Sequence, residues 1–202
     1  MPEPSLAYPL ADARNAILES GLAVFAADGF HGATMREIAH RAGVSQGLLH
    51  HHFRGKNGLW RVVGERITAD FITYMTGAVD PALPAGDGVG AMLRAYMNYW
   101  RQHPAAFRFN LWRLLEGPPS ERAARSEHIT RQGVALFQRA RDAGFIRNDM
   151  PPGLALIVTG SVIQFWLHSG LEVRDALAVT GDESLSDEAF LEHLLALVRG
   201  VD

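Results

Sequence analysis

The stretch "AGVSQGLLHHHF", residues 42–53, admits three readings that lead to three different proteins. Gly43, Val44, Ser45, Gln46 and Gly47 match the G-x-S-x-G pattern of a hydrolase nucleophile elbow. His50, His51 and His52 suggest a metal cluster. The same residues fit the turn and second helix of a helix-turn-helix, the element that enters the major groove of DNA.

The flanking residues weigh these readings. An elbow needs a β-strand feeding the serine, because the strained strand-to-helix turn is what exposes the hydroxyl. Upstream of Ser45 stands MREIAHRA instead, a short helix capped by Thr34, with Glu37 three residues on to complete a capping box. Consecutive helical residues point about 100° apart, so His50, His51 and His52 cannot converge on one ion, and neither a metal nor a cofactor is expected. Ser45 is a good cap for a helix over about residues 46–53. At its start Gln46 can pair bidentately with adenine, Gly47 permits close backbone approach, and the free N–H groups suit a phosphate. Ile38, Ala39, Val44, Leu49 and Phe53 would then face an earlier helix, about residues 11–27, which Asp28 and Gly29 stop.

Charge is distributed in the same sense. The 202-residue chain has a net charge of −3, yet residues 31–61 set Arg36, Arg41, Arg54, Lys56 and Arg61 against Glu37 alone, a local +4. A basic patch on an acidic chain is the electrostatic footprint of a phosphate-contacting region. The absence of cysteine removes disulfides, thiolate metal sites and thiol catalysis. The first 30 residues lack a signal-like apolar segment, so a cytoplasmic protein is expected. Residues 154–171 are uncharged and long enough to raise the question of a membrane span. Gln164, His168 and two serines interrupt them, and a buried helix is the expectation.

Apolar residues recur at helical spacing almost throughout, which predicts an all-α protein. Beyond 46–53 the expected helices are 56–78, 89–102, 104–116, 120–143, 152–170 and 186–200, about nine in all, with Val173–Val179 helical at most briefly. The reading divides the chain into a three-helix helix-turn-helix domain, 1–55, and a second helical domain, 56–202.

Residues 29–60, GFHGATMREIAHRAGVSQGLLHHHFRGKNGLW, resemble the TetR family of transcriptional regulators, with Phe30, Thr34, Ile38, Ala39, Ala42, Gly43, Val44, Ser45, Leu49, His52, Phe53, Lys56 and Leu59 where the family pattern wants such residues. The resemblance implies that Thr34, His50 and Lys56 hold phosphates and that Gln46, Gly47 and His51 approach bases. Met35 lies at the groove edge, Ser45 caps and can donate to a phosphate, and His52 either contacts DNA or packs inward. His50 and His51 stand where aromatics are usual. Gly55 and Asn57-Gly58 replace better capping and helix-forming residues, so a loosely capped start is expected for the helix at 56. Two stretches, YMNYWRQHPAAFRF and DALAVTGDESLSDEAF, are similar to the pyrimidine-utilisation subgroup; they are turns and helix ends, so no ligand is carried over.

The C-terminal part carries two wide apolar stripes, Leu154, Ile157, Val158, Val162 and Phe165 on one helix and Phe190, Leu191, Leu194 and Val198 on the last. In this family such a pair forms a four-helix bundle with a second subunit, so these residues except Phe165 are the expected dimer interface. The family's equivalent region encloses a small-molecule pocket, here expected from Phe71, Tyr74, Tyr96, Trp100, Trp112 and Phe165, with Asn110 and Gln164 to orient an organic effector. The resulting expectation is a homodimeric, effector-released repressor of a palindromic operator, with no enzymatic activity and no membrane partner. A hydrolase using Ser45 and a helical small-molecule carrier without DNA binding are the alternatives.

Overall fold

Prolines and hydroxyl side chains set where many of the helices begin. The computed structural model describes residues 10–117 and 119–200, with the side chains of 12–117 and 130–200. Its helices are α1 (Leu10–Gly32), α2 (Met35–Ala42), α3 (Gln46–Phe53), α4 (Lys56–Ala78), α5 (Ala85–Gln102), α6 (Pro104–Glu116), α7 (Pro119–Asp142), α8 (Pro152–His168), α9 (Gly170–Ala178) and α10 (Asp187–Val198). Thr34 Oγ1, Ser45 Oγ and Ser186 Oγ accept from the N–H groups of Glu37, Leu48 and Ala189, capping α2, α3 and α10. Pro104 and Pro152 occupy the first turns of α6 and α8, where a missing N–H costs nothing.

The protein is all-α. Among the described residues the only β pairing is one isolated antiparallel bridge between Ile146 and Arg199. Among the described residues ten helices stand where nine were expected, because residues 170–178 form a full helix of their own rather than a brief turn. In α1 the regular geometry breaks at Gly29, where the sequence stops the helix, and a further turn then continues to Gly32.

The chain divides into two packing units, the described residues of Met1–Asp70 with His103–Arg122, and those of Phe71–Gln102 with Ala123–Asp202. That differs from a boundary at 55/56. The first fifteen residues of α4 and all of α6 belong with α1–α3, for a reason visible in the core. Trp60 of α4 meets Phe25 and Phe30 of α1 edge-on, at 5.0 and 5.3 Å between ring centres, and lies 4.4 Å from Phe109 of α6. Edge-on and tilted contacts are the favoured geometries for aromatic pairs. Ile17, Ile38, Leu49 and Leu59 complete this core and are fully buried.

The second unit buries Val89, Leu93 and Met97 of α5, Phe137 and Ala140 of α7, Ala155 and Ile163 of α8, and Leu191, Leu194 and Val198 of α10. The apolar stretch 154–171 is not one span. Its helix ends at His168, and α9 leaves at 91° to α8; no single described helix is long and apolar enough to cross a membrane, and this bent pair passes on length and composition alone.

Asp187, at the start of α10, ties this unit together. Its carboxylate accepts two bonds from the Arg101 guanidinium (2.8 and 2.9 Å) and one from the Trp166 indole N–H (2.7 Å), while Trp166 stacks on Phe190 at 4.1 Å. Burial pushes the carboxyl up, but the bonds from Arg101 and Trp166, with the Arg101 charge, outweigh it and hold the group below its ordinary value. A carboxylate favoured in this way contributes stability above its unfolded pKa and loses it as pH falls through the lower folded one. Asp187→Asn should therefore cost about 1 kcal/mol at neutral pH, since both partners are partly exposed. In urea unfolding that gap should close as the pH drops below about 4, the ordinary carboxylate range.

Candidate nucleic-acid interface

Two eight-residue helices cannot bury much alone, so α2 and α3 are placed by the few apolar side chains they contribute. Ile38, Ala39, Leu49 and Phe53 are buried, with Arg14 of α1 lying over the Phe53 ring at 5.6 Å. The turn between them passes through Gly43 in the left-handed region (φ 66°), whose N–H bonds the carbonyls of Ala39 and His40. Burying Leu49 and Phe53 forces the opposite face of α3 outward. Gln46, Gly47, His50 and His51 are all exposed there, two pairs four residues apart on adjoining rows of the helix.

Around that face Thr34 and Ser45 are exposed and Met35 is half-buried. Thr34 and Ser45 use their oxygens as caps, which leaves each hydroxyl proton available for donation. Arg36, Arg41 and Arg54 are exposed, and among the described residues they make no ion pair. Arg61 is paired with Glu65 at 2.6 Å and contributes less to the local field.

Two of the expected DNA ligands are engaged inside the protein. Lys56 Nζ donates to the carbonyls of Ala33 (2.9 Å) and His31 (3.5 Å) and lies 4.6 Å from the centre of the Phe30 ring, so the ammonium is drawn into the α1–α2 corner. His52 turns inward between the rings of His51 and Phe53, with its Nε2 buried and without a hydrogen-bond partner. Side chains one residue apart on α3 thus have opposite fates, which burial of Phe53 dictates and composition does not.

The elbow reading is overturned at Ser45. The residue follows a helix and a left-handed turn, and its hydroxyl accepts the Leu48 N–H at 3.1 Å. Among the described residues no cluster of histidine and acidic side chains is arranged to hold a metal.

Of the eight expected pocket residues, six lie in the second packing unit and two in the first. Asn110 and Trp112 belong to α6 in the first unit, where the Trp112 indole donates to the Ala26 carbonyl at 3.3 Å. Phe165 is 51 % exposed, and among the described residues its ring contact is an edge-on one with His168. Phe71, Tyr74, Tyr96 and Trp100 do gather, together with Tyr99; Phe71 stacks on Trp100 at 5.3 Å and lies edge-on to Tyr96 and Tyr99. Gln164 donates to the Tyr96 hydroxyl at 2.8 Å, the one expected polar group beside this cluster.

The expected dimer face also needs correction. Leu191, Leu194 and Val198 are core residues of their own subunit, Leu194 being 2 % exposed, and Phe190 is taken up by Trp166. On α8, by contrast, Leu154 and Ile157 face outward, Ile157 at 62 %, and Phe165 continues their row, while Val158 and Val162 are half-buried at its margin. Both helices have wide stripes, and a wide stripe cannot say which part of it meets its own subunit.

Of the glycines at the start of α4, Gly58 is required by packing. A β-carbon at Gly58 would run into the Phe53 carbonyl oxygen, so only glycine lets α3 and α4 approach so closely. Before it, Arg54 caps α3 in the left-handed region (φ 53°), the only described non-glycine residue with positive φ. Gly58→Ala should destabilise the fold by at least about 1–3 kcal/mol through overpacking. Arg54→Gly should stabilise it by about 1 kcal/mol. Urea unfolding monitored by far-ultraviolet circular dichroism measures both.

Comparison with known proteins agrees with this geometry. A model described as bacterial regulatory proteins, tetR family, matches residues 17–63, and one described as tetracyclin repressor-like, C-terminal domain, matches residues 89–196. The HTH-type transcriptional regulator BetI of Escherichia coli strain K12 is 27 % identical over 204 aligned positions, covering 90 % of this chain and 93 % of the relative. Among solved structures, a tetR-family regulatory protein from Rhodococcus RHA1 superposes with a TM-score of 0.75 at 20 % identity, covering 94 % of this chain and 98 % of the other. AibR, crystallised with isovaleryl coenzyme A and operator DNA, gives 0.67 at 19 % identity, covering 77 % and 85 %.

Proposed function

The chain belongs to the TetR family of bacterial regulatory proteins, and from that premise we propose that it is a cytoplasmic repressor that binds a palindromic operator as a homodimer and is released by a small organic effector. It is a DNA-binding transcriptional regulator, and the observation that carries the finer reading is the outward face of α3. Gln46, Gly47 and His51 are the base-facing residues in this proposal. Thr34, Met35, Ser45 and His50 flank them at the phosphates, with Arg36, Arg41 and Arg54 adding sequence-independent attraction. Lys56 acts by bracing the α1–α2 corner from inside, and His52 packs its buried edge within α3.

A single recognition helix reads too few base pairs for useful specificity, and a two-fold axis doubles the site. The outward row of α8, Leu154, Ile157 and Phe165 with Val158 and Val162, is the surface that would meet the second subunit. A large exposed apolar strip on a helix flank is otherwise unfavourable. The structure of the neighbour AibR in complex with isovaleryl coenzyme A and operator DNA supports pairing an organic ligand with DNA in this fold. Here the proposed effector region is the cluster of Phe71, Tyr74, Tyr96 and Trp100 with Gln164. Helix α4 carries Trp60 at one end and Phe71 towards the other. An effector that favours one pose of α4 would weaken operator binding, and the operator would weaken effector binding by the same factor.

Selection from random DNA should enrich a palindrome, bound with a steep salt dependence. Gln46→Ala should relax base preference at one position of each half-site and cost about 1–3 kcal/mol of affinity for a bidentate contact. Failure to enrich any palindrome would remove the recognition-helix reading.

Assembly has its own test. Ile157→Glu should leave the melting temperature of the protomer nearly unchanged and give a monomer in sedimentation, with operator affinity lost. Leu194→Glu should abolish folding instead, because a buried unpaired carboxylate costs several kcal/mol. A wild-type protein that sediments as a monomer overturns the dimer.

A further inference from the structure

The corner from which the helix-turn-helix departs is held from outside by α6. At Gly29 the backbone takes φ 71° and ψ −173°, a combination open essentially only to glycine. A β-carbon there would lie 3.0 Å from both Glu116 Oε2 and Trp112 Cε3. In an uninterrupted helix the Phe30 N–H would bond the Ala26 carbonyl, four residues back. At this corner α6 engages both groups: the Trp112 indole N–H donates to the Ala26 carbonyl at 3.3 Å, and the Phe30 N–H donates to Glu116 Oε2 at 2.6 Å. Trp112 and Glu116 stand four apart on α6, so one helix face presents a donor and an acceptor one turn apart.

The single turn that follows is clamped at its other end by the opposite charge. The Ala33 N–H bonds the Gly29 carbonyl at 3.4 Å, and Lys56 Nζ bonds the carbonyls of Ala33 and His31. A carboxylate therefore sits on the N–H end of this turn and an ammonium on its carbonyl end, the polarity that the peptide dipoles favour. Thr34, the cap of α2, follows directly, so the turn sets the direction in which α2 and α3 leave α1.

We propose that Glu116 and Trp112 are positioning residues for operator reading: by substituting for the bond broken at Gly29 they fix the angle of the recognition helix without touching DNA. This rests on the DNA-binding reading above. It separates two quantities that a contact residue would change together. Base readout demands an orientation of α3 correct to a fraction of an ångström, whereas attraction to phosphates needs only the basic surface.

The test measures affinity for two duplexes of equal length, the palindrome that the wild-type protein enriches from random DNA and a scrambled sequence. Glu116→Ala is expected to weaken binding to the palindrome about tenfold, as for loss of a charge-assisted hydrogen bond, with the scrambled duplex within about twofold. Glu116→Gln, which keeps an acceptor oxygen, is expected to stay within about threefold of wild type on both. Trp112→Phe removes the indole N–H and little volume, and is expected to reproduce the selective loss more weakly, which keeps the test decisive if Glu116→Ala fails to fold. The proposal is overturned if Glu116→Ala or Trp112→Phe folds and discriminates the two duplexes as wild type does. It is equally overturned if both duplexes weaken alike, or if Glu116→Gln is as impaired as Glu116→Ala. A failure of the underlying DNA-binding reading would appear already in the wild-type protein, which would then enrich no palindrome.

Discussion

Burial of the Trp60 indole among Phe25, Phe30 and Phe109 is the contact on which the helix-turn-helix depends. Helices of eight residues such as α2 and α3 are too short to persist in water by their own hydrogen bonds. Leu49 and Phe53 anchor α3, but the surface they sit against exists only because α1, α4 and α6 meet at one aromatic side chain. This is why the first packing unit takes in the start of α4, next in the chain to α3, and the whole of α6, which is distant in the chain from the residues that would read DNA. Arg113 adds to the same seam: its buried guanidinium donates to the Gly64 carbonyl and the Thr68 hydroxyl, binding α6 to α4. Gly64 leaves room for that guanidinium, since a β-carbon there would lie 2.6 Å from Arg113 Cζ.

Polar groups in this unit are arranged by what has been left unpaired in the backbone. Thr34 and Ser45 satisfy the N–H groups at two helix starts, Lys56 the carbonyls of the corner, and Trp112 and Glu116 the groups at the Gly29 break. Each unmade bond at such a site would cost more than the made one gains, so these side chains are committed to the fold first. What remains uncommitted on the outer surface, Gln46, His50, His51 and the three arginines, is the set available to a nucleic acid. The surface chemistry of the interface is thus a residue of the folding chemistry beneath it.

In the second unit the same logic separates two similar stripes. Helix α10 enters the core along Leu191, Leu194 and Val198 while Asp187 fixes its first turn to α5 and α8. Helix α8 contributes Ala155, Thr159 and Ile163 to that core, small or β-branched residues that allow close packing, and this turns Leu154, Ile157 and Phe165 outward. Leu156, Val162, Trp166 and Leu167 of the same helix also pack against that core, so α8 is apolar on both its inward and its outward side.

The sequence by itself determined the helical class, the limits of α2 and α3, and the place of Ser45, Gln46 and Gly47 at the start of α3, because capping residues, a turn glycine and helical periodicity act over a few neighbouring positions; the outward roles of His50 and His51 came from the family resemblance. It also revealed the basic patch, since charge is local in the chain. Only the tertiary structure decided that Lys56 and the buried edge of His52 face inward, that the Trp112 indole bonds back to α1, that Leu194 is core while Ile157 is surface, and that Gly58 is demanded by a carbonyl. Each of those outcomes turns on which helix lies opposite, and periodicity records that a face is apolar without recording its partner. Glu116 marks the limit: its spacing from Trp112 was visible in the chain, but the broken turn it completes lies 86 residues away.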